Sequence, residues 1–334
     1  MLNWPAHTTV VEVGPRDGLQ SLPRWVDTAQ KVALVDRLSD IGLPVIEVTS
    51  FAHPKAVPHL QDAEVVLARI RRCPGTVYRA LVPNARGAER AVRADAPPDA
   101  LAGLVVASGT YQAKNQRMTI DAAVEQAIDA GAIAHAAGMS YVVTIAMAFW
   151  DIYEGLTSQR TVLDLVDRLH QGGVQSICLA GSLGMEDPRH VNALFGEVAR
   201  GWPEVQTGFH VHNLAGLATA NILAALDAGA RFVEGSICGL GGGIAMPGSI
   251  GPVGNLATED IVYLLNSSGI DTGVSIEAAV AAARDVAQLL DIGPIGHVAR
   301  CGSREELQFR GVKKPGEPSL DASHKTVHIA PDRN

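Results

Sequence analysis

The chain has 334 residues, 47% hydrophobic and 19% charged, with a formal charge of −8. That balance supports a large buried core, excludes disorder for most of the chain and argues against a nucleic-acid scaffold. Aromatic residues make up only 4%, too few for a surface built on stacking against bases.

Short apolar runs alternate with longer amphipathic ones along the chain. A strand over Thr8–Val13 precedes a helix over Thr28–Ile41, and a strand over Pro44–Thr49 precedes a helix over His59–Arg72. The third and fourth strands, Thr76–Leu81 and Leu101–Ala107, are followed by helices Ala85–Ala94 and Ile120–Ala137. Then come strand Tyr141–Ala146 with helix Ser158–Gln171, and strand Val174–Leu179 with helix Asp187–Arg200. The last two strands are Val205–Val211 and Arg231–Ile237, with helices Ala215–Asp227, Thr258–Ser267 and Ser275–Leu290. Continuous apolar strands suit a parallel sheet covered on both faces. Eight such units predict a (β/α)8 TIM barrel, with a doubly wound sheet as the alternative. No GxGxxG follows the first strand, which weighs against that alternative.

The barrel is expected to span residues 1–290, with a C-terminal helical extension and a polar tail over 291–334. The final 24 residues, from Gly311, are polar and contain proline, so either a mobile tail or a docking arm is open. Cys73, Cys178, Cys238 and Cys301 form no CxxC pair, so neither a disulfide framework nor a zinc–thiolate site is read. No signal peptide is read at the N-terminus. The stretch from Gly131 to Trp150 has membrane length, but Gly138 and Ser140 break it into helix end, turn and strand. A soluble cytoplasmic protein is expected, with no membrane or nucleic-acid partner. Barrels of this type often pair through outer helices, so a homodimer or higher homo-oligomer is plausible.

Barrel enzymes place their chemistry at the C-terminal strand ends. The first strand ends in Glu12-Val13-Gly14-Pro15-Arg16-Asp17-Gly18, a charged pair between breaker residues. The seventh ends in His210-Val211-His212, whose i, i+2 spacing projects both imidazoles to one side. A glycine-rich loop containing Gly242 and Gly243 follows the eighth strand and could cradle a phosphate or carboxylate, or act as a flexible lid. Asn255 precedes the next helix and is either a cap or an oxygen ligand. Asp17, His210, His212 and Asn255 together suit Mg²⁺ or Mn²⁺ with two open positions, and Zn²⁺, Co²⁺ or Fe²⁺ are also compatible. Such a site would chelate neighbouring hydroxyl and carbonyl oxygens, which favours carbon–carbon cleavage or formation beside a carbonyl.

Four segments carry a resemblance: EVGPRDGLQ, IEVTSFAHPKAVPHL, HVHNLAGLATANILAALDAGA and GNLATED. In order and spacing they resemble the hydroxymethylglutaryl-CoA lyase family of metal-dependent TIM-barrel lyases and Claisen-condensing enzymes, from about Val10 to about Leu290. The resemblance implies that Asp17, His210, His212 and Asn255 hold the metal. It implies that Arg16 steadies the substrate's carbonyl or enolate oxygen and that Glu47 belongs to the acid/base network. Gln20, Gly242 and Gly243 become candidate substrate-binding residues. Lys114 and Arg117 fall in a polar stretch compatible with CoA or carboxylate contact.

Two departures stand out. Where the family has a catalytic cysteine after GLGG this chain has Gly243, and where it has Gly-Asp-Thr this chain has Ala180-Gly181-Ser182. Candidate substitutes in proton relay are Glu47, Ser182, Asp151, Tyr153 or metal-bound water. Cys238 is a further relay candidate if the backbone brings it to the site, and otherwise reads as a buried structural thiol, the favoured alternative. The expected activity is cleavage of a 3-hydroxyacyl-CoA to an acyl-CoA and a keto acid. Alternatives are an aldol- or Claisen-type reaction on a different hydroxy or keto acid, and a non-catalytic metal-binding relative.

Overall fold

Each apolar run becomes one parallel strand of a closed eight-stranded barrel in the computed structural model, which describes residues 3–242, 253–293 and 296–311. The barrel strands are β1 (Thr9–Glu12), β2 (Val45–Ser50), β3 (Val77–Leu81), β4 (Ala100–Val106), β5 (Ser140–Ala146), β8 (Ser176–Gly181), β9 (Gln206–Val211) and β10 (Phe232–Gly235). The interposed β6 (Trp150–Asp151) and β7 (Gly155–Leu156) form a small antiparallel ribbon after β5. Around the barrel the order is β1-β10-β9-β8-β5-β4-β3-β2, so β1 closes against β10 with Thr9 opposite Phe232 and Glu12 opposite Gly235. The doubly wound alternative is excluded by this closure.

The outer helices stand where sequence periodicity places them: α1 (Thr28–Asp40), α2 (Ala63–Arg69), α3 (Ala85–Val92), α5 (Ile120–Ala136), α6 (Gln159–Gln171), α7 (Pro188–Gly201), α8 (Ala218–Asp227), α9 (Thr258–Ser267) and α10 (Ile276–Leu289). Their starts are set by local chemistry. Asp27, Asn84, Thr119, Asp187 and Ser275 each accept a backbone N–H of the first turn, satisfying donors that have no helical partner. The helix expected from His59 starts later, because Pro58–Leu60 form a separate 3₁₀ turn. The polar α4 (Gly109–Gln116) lacks apolar periodicity and was not predicted; Ser108 caps it by accepting the Tyr111 N–H. The Gly131–Trp150 stretch is the end of α5, a turn and β5, and no described helix is long and apolar enough to cross a membrane.

Packing explains several glycines. A Cβ on Gly208 of β9 would stand 2.0 Å from the Phe232 ring, so the bare backbone lets that ring fill the bottom of the barrel. Outside the barrel, Phe149, Phe195 and Phe209 pack edge-to-face and stacked, with centroids 5.5–6.5 Å apart.

Beyond α10 the chain forms α11 (His297–Cys301) and α12 (Arg304–Gly311). Asp260 accepts the His297 and Val298 N–H groups, and Arg284 donates two hydrogen bonds to Glu306. The C-terminal extension is thus docked on α9 and α10 as far as Glu306. Residues 312–334, most of the expected tail, lie outside the described residues.

The wall between β1 and α9 buries two carboxyls. Glu12 accepts the Gly14 and Ile237 N–H groups, and Glu259 accepts the Cys238 N–H. Burial pushes Glu12 up to about 7 and Glu259 up to about 8, from an ordinary 4.5. The unfolded chain ionises both near 4.5, so it holds fewer protons than the fold between that value and about pH 8. Stability therefore falls as pH rises through this window, by up to about 1.4 kcal/mol per pH unit for each group. Denaturant midpoints at about pH 5 and about pH 8.5 should show the drop. Glu259→Gln, which stays neutral, should make the drop smaller, leaving the part due to Glu12.

Candidate active site

The site lies at the C-terminal mouth of the barrel. After β1 the chain makes one π turn, Gly14–Gly18, in which the Asp17 N–H donates to Val13 O at 2.7 Å. A Cβ on Gly14 would stand 2.6 Å from a Glu12 oxygen, and one on Gly18 2.8 Å from Leu240 Cβ. The bare backbone lets this turn press against the loop after β10 and deliver Arg16 and Asp17 into the mouth. His210 near the end of β9 and His212 just after it face the same space, and Asn255 pairs with His212 as an isolated antiparallel bridge.

Asp17, His210 and His212 are buried, with ligand atoms all within 4.8 Å of one another. The His210 and His212 Nε2 atoms are 3.1 Å apart, and His212 Nε2 is 4.0 Å from Asp17 Oδ2. His210 Nδ1 lies 3.1 Å from Glu234 Oε2, and His212 Nδ1 lies 3.0 Å from Val253 O. Each of these oxygens requires a donor, so both Nδ1 atoms carry hydrogen and the Nε2 lone pairs face each other. A proton between them would relieve the repulsion. Burial, followed by the neighbouring His210, instead holds His212 down at about 4. Asn255 donates to Asp17 Oδ2 and Leu240 O, while its Oδ1 is buried without a hydrogen-bond partner among the described residues. Burial opposes ionisation of Asp17, but Arg16, His210 and His212 outweigh it and hold the carboxyl below its usual range. Two converging imidazole lone pairs, an anionic oxygen and an orphaned amide oxygen fit a divalent cation.

Arg16 donates to Asp17 Oδ1 at 2.7 Å and, through Nε, to Glu47. Glu47 Oε2 lies 2.6 Å from Arg79 Nε, and Arg79 donates to Glu234 Oε1 at 2.7 Å. Arg79 and Glu234 were missed at the level of sequence. Their only signal was one charge in each of the otherwise apolar or small runs Tyr78-Arg79-Ala80-Leu81 and Phe232-Val233-Glu234-Gly235.

The mouth opens into a cavity of about 670 Å³ lined by Arg16, Asp17, His210, His212 and Ser182, among others. Lys55, Lys114 and Arg117 line it too, and Arg117 holds a left-handed backbone (φ 58°) at the end of α4. Gln20 also lines the cavity, but its amide donates to Asp17 Oδ1 at 2.8 Å. Ser182 Oγ accepts the Met147 N–H at 2.9 Å. Tyr153 sits in the β6–β7 ribbon, with Lys114 Nζ 5.0 Å from its ring centre. Gly242 packs by Ser21, a Cβ there standing 3.1 Å from Ser21 Cβ, and Gly243 lies outside the described residues. Cys238 is turned away from the mouth: its thiol donates to Ala283 O of α10, and burial raises it above the usual thiol range. As a relay candidate it is therefore misplaced, because β10 is followed by a turn that buries it under α10.

The HMGL-like family model matches residues 7–286. The chain belongs to that family. It is 38% identical over 287 residues to the mitochondrial hydroxymethylglutaryl-CoA lyase of Mus musculus, covering 86% of this chain and 87% of that one. With hydroxymethylglutaryl-CoA lyase YngG of Bacillus subtilis (strain 168) the identity is 35% over 281 residues, covering 84% and 92%. An HMG-CoA lyase structure from Acinetobacter baumannii, in complex with coenzyme A and 3-methylmalate, superposes with a TM-score of 0.83 at 35% identity, covering 90% of this chain and 96% of that one. Membership makes the chain a carbon–carbon lyase by class. At Gly181, the last residue of β8, the resemblance implies an aspartate; the glycine supplies none, but a carboxyl from further along the chain stands beside it. A Cβ on Gly181 would be 2.0 Å from Glu186 Oε1, so Glu186 fills that space. Burial pushes it up to about 7.

If the converging lone pairs hold a cation, His210→Ala should lower bound Mn²⁺ below one per chain, while circular dichroism shows the fold intact. Metal content by atomic emission spectroscopy checks this, and unchanged content would sink the assignment.

Proposed function

We propose that this chain cleaves the C2–C3 bond of a 3-hydroxyacyl-CoA, hydroxymethylglutaryl-CoA or a relative, to an acyl-CoA and a keto acid. The observation that carries this is the set of lone pairs directed at one point beside Asp17, at the mouth of a cavity with a cationic rim. Asp17, His210, His212 and Asn255 would hold a divalent metal, Mg²⁺ or Mn²⁺. That metal supplies Lewis-acid polarisation of neighbouring hydroxyl and carbonyl oxygens.

The remaining work falls to the chain's own side chains. Arg16 holds a fixed positive charge at the cavity wall, suited to the oxygen that gains negative charge as the thioester enolate forms. Glu47 commits one oxygen to Arg16 and the other to Arg79, so it orients the guanidinium rather than carrying the proton. Lys55, Lys114 and Arg117 offer charges suited to the phosphates of a CoA carrier. Ser182 presents a hydroxyl in the cavity wall. It is the relay candidate best placed to face the reacting atoms, since Cys238 is buried under α10.

Two measurements test the proposal. Metal-stripped protein given Mg²⁺ or Mn²⁺ should release acetyl-CoA from hydroxymethylglutaryl-CoA. Bound metal with no release would move the substrate to a larger hydroxyacyl thioester or a free hydroxy acid. Arg16→Gln should lower kcat about 10²- to 10³-fold, the scale of removing one donor to a developing oxyanion. A change under about threefold would remove Arg16 from the chemistry.

A further inference from the structure

Inside the barrel, below the mouth, two guanidiniums and two carboxylates of alternating sign lead in a continuous buried chain to the His210 imidazole. Arg16 joins Glu47, Glu47 joins Arg79, Arg79 joins Glu234, and Glu234 joins His210. The four side chains other than Arg16 are each at most 8% exposed, and Arg16 is 12% exposed. Arg79 is the midpoint. It sits on β3, Glu47 on β2 and Glu234 on β10, so its guanidinium bridges across β1, the strand that stands between β2 and β10 in the barrel wall.

We propose that Arg79 is a positioning residue that locks the two halves of the active site to each other, fixing His210 through Glu234 and Arg16 through Glu47. This inference rests on the function proposed above.

The physical case has three parts. Two carboxylates buried this deeply are costly unless each meets a cation. Arg79 meets both, with Nε 2.6 Å from Glu47 and Nη2 2.7 Å from Glu234. Burial disfavours its charge, but Glu234 and Glu47 outweigh that and hold Arg79 firmly protonated. Second, a carboxylate at Glu234 accepts the His210 Nδ1 hydrogen, which fixes the tautomer and turns Nε2 toward the candidate metal position. Third, the extended guanidinium reaches both carboxylates from one strand, hydrogen-bonding Glu234 through Nη2 while Nε makes a close ion pair with Glu47, a span that a compact ammonium would reproduce only in part. Arg79 is absent from the cavity lining, so it acts through its partners and not on substrate.

The test uses the full-length protein and two readouts. Mn²⁺ affinity is measured by isothermal titration of stripped protein, and kcat and KM are measured with saturating Mn²⁺. Arg79→Met should weaken Mn²⁺ binding about 10- to 100-fold, as expected for loss of an outer-shell partner. It should also lower kcat by about 10- to 100-fold even when metal is saturating, because Arg16 loses its orientation, with KM for the thioester within about twofold. Glu234→Gln should reproduce the metal loss. The double variant should bind metal no more weakly than the weaker single variant, since both act through one contact. Arg79→Lys should recover part of both losses. It also carries the test if Arg79→Met does not fold.

Metal affinity and kcat within twofold of the parent in a folded Arg79 variant would overturn the inference while leaving the proposed function standing. Additive losses in the double variant would likewise overturn it, as a packing defect at each site. A parent protein that binds no divalent metal would overturn the proposed function, and the inference with it.

Discussion

Burying charge in a barrel mouth is possible only when every charge has a partner, and this requirement organises the site. Two guanidiniums, Arg16 and Arg79, face three carboxylates, Asp17, Glu47 and Glu234, with the imidazoles at the end of the chain of contacts. Such a network stabilises little by itself, because desolvation consumes most of the Coulomb energy. What it provides is geometry: each group has one place where its partners are satisfied. One negative charge remains over, and the Nε2 lone pairs and Asn255 Oδ1 converge beside it. The same accounting that holds these side chains together therefore matches the charge of a bound cation.

The scaffold that carries this network is rigid where the site is. The π turn after β1 is pressed against the loop after β10, with the space a Cβ would need at Gly14 and Gly18 already taken by Glu12 and Leu240. His212 donates its backbone N–H to Gly181 O, and Leu256 donates to Val211 O, so the segment bearing Asn255 is tied to β9 by main-chain bonds. Backbone hydrogen bonds between strand ends thus set the spacing of the ligand atoms. Side-chain rotamers then need only small adjustment to meet a ligand.

The end of β8 shows how two nearby positions share one volume. Gly181 has no side chain, and Glu186, five residues on, places its carboxyl beside that bare backbone. The two positions are coupled by space: a side chain at 181 would collide with the carboxyl from 186. The rim carries a further local cost in the left-handed backbone of Arg117, a conformation that a non-glycine residue adopts only when its surroundings fix it.

The sequence by itself determined a parallel α/β architecture, favoured the barrel over a doubly wound sheet, and marked the residues at the strand ends. Eight continuous apolar runs separated by capped amphipathic segments leave parallel strands covered on both faces as the consistent solution, and alternation along β9 places His210 and His212 together. These are local properties, with periods of 2 and 3.6 residues, and can be read without knowing the fold. Only the tertiary structure decided what those residues touch. Arg79 and Glu234 are 155 positions apart and meet only because closure of the barrel brings β3 within two strands, β2 and β1, of β10. Cys238, close to the glycine-rich loop in sequence, is directed under α10 by the turn after β10. Glu186 reaches the place of a residue five positions away because the loop after β8 folds back on itself. Contacts of this kind depend on barrel closure and loop path, which no local pattern of residues encodes.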